Sequence, residues 1–185
     1  HSIRVTTSKN KYMINSNDNE SQSGYDELLL PLLKQYDAHN STLNHKNTFT
    51  VLHLMGSHVL YNERYPKQFE YFHSSEMKEC LTSDAKRQKS TYLNTLRYTD
   101  FLLEKIIKHY SSERSLVFYF SDHGEMIDEP QQRSFFGHST NVDHPSVDIP
   151  FFVYASPKLR KEYPEIWKQI KRAKFRPIST AWFTN

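Results

Sequence analysis

The sequence predicts an α/β fold in which a mostly parallel sheet is flanked by helices. Two observations carry that expectation. Three short runs, Phe49–Leu54, Ser115–Phe120 and Ile149–Tyr154, are rich in β-branched and aromatic residues and bounded by polar ones. Their near-continuous apolarity suits strands covered on both faces, as in a parallel sheet. Segments with helical periodicity lie between and after them, and strands alternating with helices indicate an α/β architecture.

Ile3–Thr7 and Tyr12–Ile14 read as two short opening strands, and Asn15–Gly24 as the one strongly polar loop. In Tyr25–Tyr36, Leu28, Leu29, Leu32 and Leu33 recur at helical spacing. The longest predicted helix runs from about Ser83 to Tyr110. Leu93, Leu96, Leu103, Ile106, Ile107 and Tyr110 give it a buried stripe, and Ser83 is its expected N-cap. A last helix is predicted over about Pro157–Arg172, and no internal repeat is visible.

The composition narrows the classes. The chain has 185 residues, with 12 Tyr, 12 Phe and 2 Trp, too aromatic for general disorder. A folded chain of this size buries roughly 70% of the surface its unfolded form exposes. The formal charge is +3 and the basic residues are spread out. The densest stretch, Lys168–Arg176, carries five and reads as a helix end and loop, so nucleic acid is not an expected partner. Cys80 is alone, so no internal disulfide forms. No apolar run reaches membrane-spanning length and no signal-peptide pattern opens the chain. The abrupt start at His1-Ser2-Ile3 and the stop at Trp182-Phe183-Thr184-Asn185 read as those of a piece of a longer chain.

The chemistry concentrates at strand ends. Ser121-Asp122-His123-Gly124-Glu125 follows the run Ser115–Phe120 directly. Sites of open α/β sheets form beyond the carboxyl ends of strands. Asp122 and His123 would place a carboxylate oxygen beside an imidazole nitrogen there, both suited to Zn²⁺. The bland alternative is a polar turn after a buried strand. His53-Leu54-Met55-Gly56-Ser57-His58 follows another run. His53, in phase with it, reads as a hydrogen-bonded core histidine. His58, past Gly56, is the candidate for a substrate or metal contact. His138 lies in a third loop, Phe135–Thr140, before the run Ile149–Tyr154. His144 precedes Pro145 and reads as bland, and His45, His73 and His109 as surface residues.

These segments, taken in order, resemble the bacterial phosphoethanolamine transferases that modify lipopolysaccharide, members of the alkaline phosphatase and sulfatase superfamily. Asn17-Asp18-Asn19 with Ser21 and Gly24 resembles the polar loop of that family, and Tyr25-Asp26-Glu27-Leu28-Leu29-Leu30-Pro31 its following helix start. His53–His58 with Arg64-Tyr65-Pro66 resembles its His-x-Met-Gly-Ser-His and Arg-Tyr-Pro element. Asn94 with Tyr98-Thr99-Asp100 resembles its long helix. Ser121–Glu125 matches its Ser-Asp-His-Gly-Glu, and Asp148-Ile149-Pro150-Phe151-Phe152 its next strand.

The resemblance implies a partial alkaline phosphatase-like (sulfatase) fold, with residues 1–185 forming the C-terminal portion of one catalytic domain. It implies zinc held by Asp122 and His123, with His58 and His138 near the substrate phosphate. It implies transfer of phosphoethanolamine from phosphatidylethanolamine to lipopolysaccharide or a related glycan through a covalent Thr intermediate. The expected setting is the bacterial inner membrane, facing the periplasm, with a monomeric chain. The nucleophilic Thr, a zinc-binding Glu and a membrane anchor belong to an upstream segment, since Thr6 and Thr7 lie too close to His58 to serve. This chain alone is therefore expected to be inactive.

Three departures from the lipid A branch favour another acceptor, such as the lipopolysaccharide core. They are the Asp122-to-His138 spacing, Val59-Leu60 in place of Gly-Pro, and the single cysteine. Glu125 reads either as an orienter of His123 or as a solvated turn carboxylate. Alternatives remain: a sulfatase, a phosphoglycerol transferase, a phosphodiesterase, or a non-catalytic binding remnant. Cys80 is followed by Leu81-Thr82, so it is not the modified residue of a sulfatase.

Overall fold

The computed structural model describes residues 2–6, 11–15, 24–42, 48–80, 82–130, 135–138, 144–177 and 179. His1, Thr7, residues 16–23, His45, Leu81, Ser139, Thr140 and Trp182–Asn185, named above, lie outside the described residues. The chain divides into two compact units, residues 1–103 and 104–185.

In the first unit, β1 (Ser2–Thr6) lies between β2 (Lys11–Asn15) and β3 (Phe49–Leu52), antiparallel to both. Exposure alternates along β3 from Phe49 onward, so it is a strand with one wetter face. The same alternation carries past the strand end and leaves His53 exposed, not in the core.

A 3₁₀ turn at Asp26–Leu28 leads into helix α1 (Leu29–Thr42). Leu29 and Tyr36 are buried with Leu32, Leu52 and Leu54, whereas Leu28 is 43% exposed. Helix α2 spans Ser83–Tyr110, and the cap is Thr82, whose hydroxyl accepts the Ala85 N–H at 3.1 Å, not Ser83. Its buried face meets the expected stripe only in part, at Ile106. Thr95, Tyr98, Leu102 and Ile106 are buried at helical spacing while Leu96 is 42% exposed.

Asn94 and Thr95 can occupy that face because their hydrogen bonds are made, whereas the buried Thr99 Oγ1 finds no partner among the described residues. Asn94 Oδ1 accepts the N–H groups of Tyr71 and Phe72 at 2.9 and 2.8 Å. Its amide donates to Phe72 O (3.0 Å) and Tyr65 Oη (3.3 Å). Tyr98 packs with Tyr65 and Leu102 and accepts the Glu27 N–H at 3.0 Å; burial pushes its hydroxyl pKa up.

In the second unit, β4 (Leu116–Phe120) pairs antiparallel with β7 (Phe151–Ala155), from Leu116 opposite Ala155 to Phe120 opposite Phe151. A two-residue ladder joins β5 (Met126–Ile127) to β6 (Phe136–Gly137). The short helix α3 covers His144–Val147. Ser156 Oγ accepts the Leu159 N–H, capping α4 (Pro157–Glu162), and also the Ser115 N–H at the start of β4. The predicted single helix here is two. Tyr163 leaves the helical region before Pro164, as residues preceding proline tend to, and α5 (Pro164–Ala173) begins anew.

The sheet therefore differs from the expectation of a mostly parallel one: every described pairing is antiparallel. Continuous apolarity reports covered faces and is silent on strand direction. Both β4 and β7 are half-buried along most of their length.

Candidate functional site

Antiparallel pairing is what assembles the candidate site in the second unit. Because β7 runs against β4, the chain entering β7 arrives beside the residues leaving β4. Gly124 meets that incoming segment: its N–H donates to Ser146 O at 2.8 Å. A Cβ at position 124 would lie 1.9 Å from Pro145 O and 2.9 Å from Asp148 O. Only glycine fits there, and no unusual φ is involved.

The second device is register. Met126 faces Gly137 across the β5–β6 ladder. The residues just outside that pair, Glu125 and His138, are thereby brought together, with Glu125 Oε1 3.4 Å from His138 Nδ1. The His123 and His138 rings lie 4.0 Å apart between centroids. One ligand atom from each of His123, Glu125 and His138 falls within 4.8 Å of the others. The Glu125 side chain is only 9% exposed, so the reading of it as a solvated turn carboxylate fails.

Local hydrogen bonds orient His123. Ser121 Oγ donates to His123 O at 2.6 Å, and the His123 N–H donates to Asp122 Oδ1 at 3.1 Å. His123 Nδ1 lies 2.9 Å from Gly124 O. A carbonyl only accepts, so in the tautomer that makes this bond the proton is on Nδ1, which also lies 3.8 Å from Glu125 Oε1, and the lone pair is on Nε2. Nε2 lies 3.9 Å from Asp122 Oδ1, on a side chain 84% exposed. Asp122 is next to His123 but not within the tighter group of three.

Two imidazoles and a carboxylate form a donor set that catalytic zinc takes, with three protein ligands and one position open. By donor chemistry and by separation, His123, Glu125 and His138 fit such an ion. Asp122, reaching toward the lone-pair nitrogen of His123, fits as a further carboxylate donor.

His58 belongs to the first unit. Its loop is held by Asp26, a buried residue whose carboxylate oxygens accept the Met55 and Gly56 N–H groups at 3.0 and 2.9 Å. Gly56 takes a left-handed φ of 57°. Arg64 donates to His58 O and Val59 O at 3.0–3.3 Å, and Thr95 Oγ1 bonds Ser57 Oγ at 2.6 Å. The loop is fixed and His58 itself is exposed.

Sequence reasoning passed over Asp26 and Arg64 as loop anchors and underrated Glu125. For Glu125 a signal existed. It lies two residues past His123, and in extended chain such residues share a side. For Asp26 there was none, because its partners lie about thirty residues away.

A profile of the sulfatase family matches residues 4–179. The chain belongs to the sulfatase family. Among sulfatase-family proteins it is related to the phosphoethanolamine transferases. It is 32% identical over 180 residues to the phosphoethanolamine transferase EptA of Helicobacter pylori, covering 90% of this chain and 33% of that one. The C-terminal periplasmic domain of EcEptC from Escherichia coli superposes with a TM-score of 0.61 at 25% identity, over 79% of this chain and 42% of that domain. A structure of the same domain in complex with zinc superposes at 0.58 and 24% identity, over 83% and 43%, a likeness of fold. The chain spans about a fifth to a third of the length of the curated relatives it matches. Among the described residues no helix is long and apolar enough to cross a membrane.

Proposed function

We propose that this chain supplies the metal-gripping and proton-handling part of a zinc-dependent phosphoethanolamine transferase. The donor is phosphatidylethanolamine and the acceptor is lipopolysaccharide or a related glycan, in a protein anchored in the inner membrane and facing the periplasm. The observation that carries the reading is the convergence of His123, Glu125 and His138 at the end of β4, in a chain of this family.

His123 and Asp122 would hold the zinc, as the resemblance implies, and Glu125 and His138 are placed to join or support them. The ion supplies positive charge that polarises a phosphodiester and lowers the pKa of a nearby hydroxyl. The protein's own groups do the rest. The Nδ1–H bond to Gly124 O locks the His123 ring with its lone pair outward. Glu125, largely buried, fixes the His138 ring by its carboxylate. His138, half exposed, can then give a proton to the leaving oxygen or take one from the attacking hydroxyl. The resemblance assigns His58 a contact to the substrate phosphate, where a ring N–H stabilises developing negative charge. The covalent Thr of the reaction has no counterpart in these 185 residues.

Calorimetric zinc titration of the chain after chelation tests the reading. His123→Ala should weaken uptake by about tenfold or more. His73→Ala, an exposed histidine of the first unit, should leave it unchanged. Equal uptake by the two variants would remove the loop after β4 as the metal site.

A further inference from the structure

We propose that α5 and the residues just after it form an interfacial helix that docks on an anionic lipid surface. Ile166, Trp167, Ile170 and Ala173 fall along one face of α5, at helical spacing. None of the ten residues of α5 is buried. Ile166 is 43% exposed, and Phe175, just beyond the helix, is 85% exposed. Trp167 and Ile170 are half-buried, while Ile166 and Phe175 stay largely in water, so packing among the described residues covers the apolar face only in part.

The charge around that face selects its partner. Residues 164–177 carry Lys168, Lys171, Arg172, Lys174 and Arg176 against one acid, Glu165, which lies 3.7 Å from Lys168. The basic groups border the aromatic rings. Lys171 Nζ is 5.8 Å from the Trp167 ring centre, Arg160 Cζ 5.6 Å from the same ring, and Lys174 Nζ 5.4 Å from that of Phe175. Long cationic side chains flanking Trp, Ile and Phe suit a helix lying in a bilayer interface, rings among the headgroups and ammonium groups reaching the phosphates. The apolar residues sit on a convex helix face, which a bilayer accommodates without a shaped pocket. This inference does not rest on the reading of the metal site.

The test uses the full 185-residue chain carrying Trp182→Phe, which leaves Trp167 as the only tryptophan. Vesicles made of equal parts phosphatidylglycerol and phosphatidylcholine should bind it and shift its Trp167 emission to the blue, with binding weakened by salt. Vesicles of phosphatidylcholine alone should bind at least about tenfold less. Lys168→Glu with Lys171→Glu should lower partitioning by about tenfold or more. Ile166→Glu with Ile170→Glu should abolish the blue shift, and circular dichroism should show both variants folded. Failure to bind the mixed vesicles, or equal binding to both kinds, would overturn the proposal. So would undiminished binding by the isoleucine variant. Self-association in the absence of vesicles that Ile166→Glu dissolves would instead make a second copy the occupant. Binding to polyglutamate as tight as to vesicles, and indifferent to the isoleucines, would make it an acidic protein.

Discussion

The two histidine loops look alike in sequence, each following a strand and each carrying a glycine beside its histidines, yet they are built in opposite ways. The loop of His58 is organised by its backbone. The buried Asp26 grips two consecutive N–H groups, and the histidine side chain is left in solvent. The loop of His123 is organised around side chains, with Gly124 pressed into the segment before β7 so that His123, Glu125 and His138 meet. Their glycines differ accordingly. Gly56 is needed for its left-handed φ, in open space, while Gly124 is needed for its missing Cβ.

Substitution can break that contrast. Gly124→Ala should have the largest effect, because backbone atoms of Pro145 and Asp148 cannot yield as a flexible side chain does. We expect a loss of about 3 kcal/mol in urea denaturation, together with loss of zinc uptake. A folded Gly124→Ala protein with normal uptake would show the close approach to be unnecessary. Asp26→Asn comes next. Removing a buried carboxylate that accepts two N–H bonds should cost about 2 kcal/mol, while zinc uptake in folded protein stays unchanged. A fall in uptake would mean the first loop also serves the metal. Gly56→Ala should cost only about 1 kcal/mol, the strain of a left-handed residue with a Cβ. A loss as large as that of Gly124→Ala would erase the distinction.

Smallest in stability is Asp122→Asn, whose side chain is 84% exposed. Its thermal melt should match the wild type, yet in a longer protein that contains this chain and has the proposed activity it should abolish release of diacylglycerol from phosphatidylethanolamine. Wild-type rates there would take Asp122 out of the site.

Much of this was legible in the residues. The span of α2 and the strand before Ser121–Glu125 follow from periodicity and apolar runs, which are local signals. What was not legible depends on partners distant in sequence. The buried face of α2 is polar at Asn94 and Thr95 because Tyr71, Phe72 and Ser57 satisfy it. Strand direction is a property of pairs, and a single run such as Phe151–Ala155 reads the same in either sense. The apolar run before His53 predicts a buried side chain there. The alternation along β3 decides otherwise.

The β5–β6 ladder changes how loop lengths in this family should be compared. Glu125 and His138 meet because Met126 is opposite Gly137, whatever number of residues the hairpin contains. Lengthening the connection between the two strands leaves that meeting intact, whereas sliding one strand by a single position turns the wrong side chain inward. The distance along the chain from Asp122 to His138 is then a free variable of the hairpin. Relatives with different spacings are better aligned by ladder register than by counting residues.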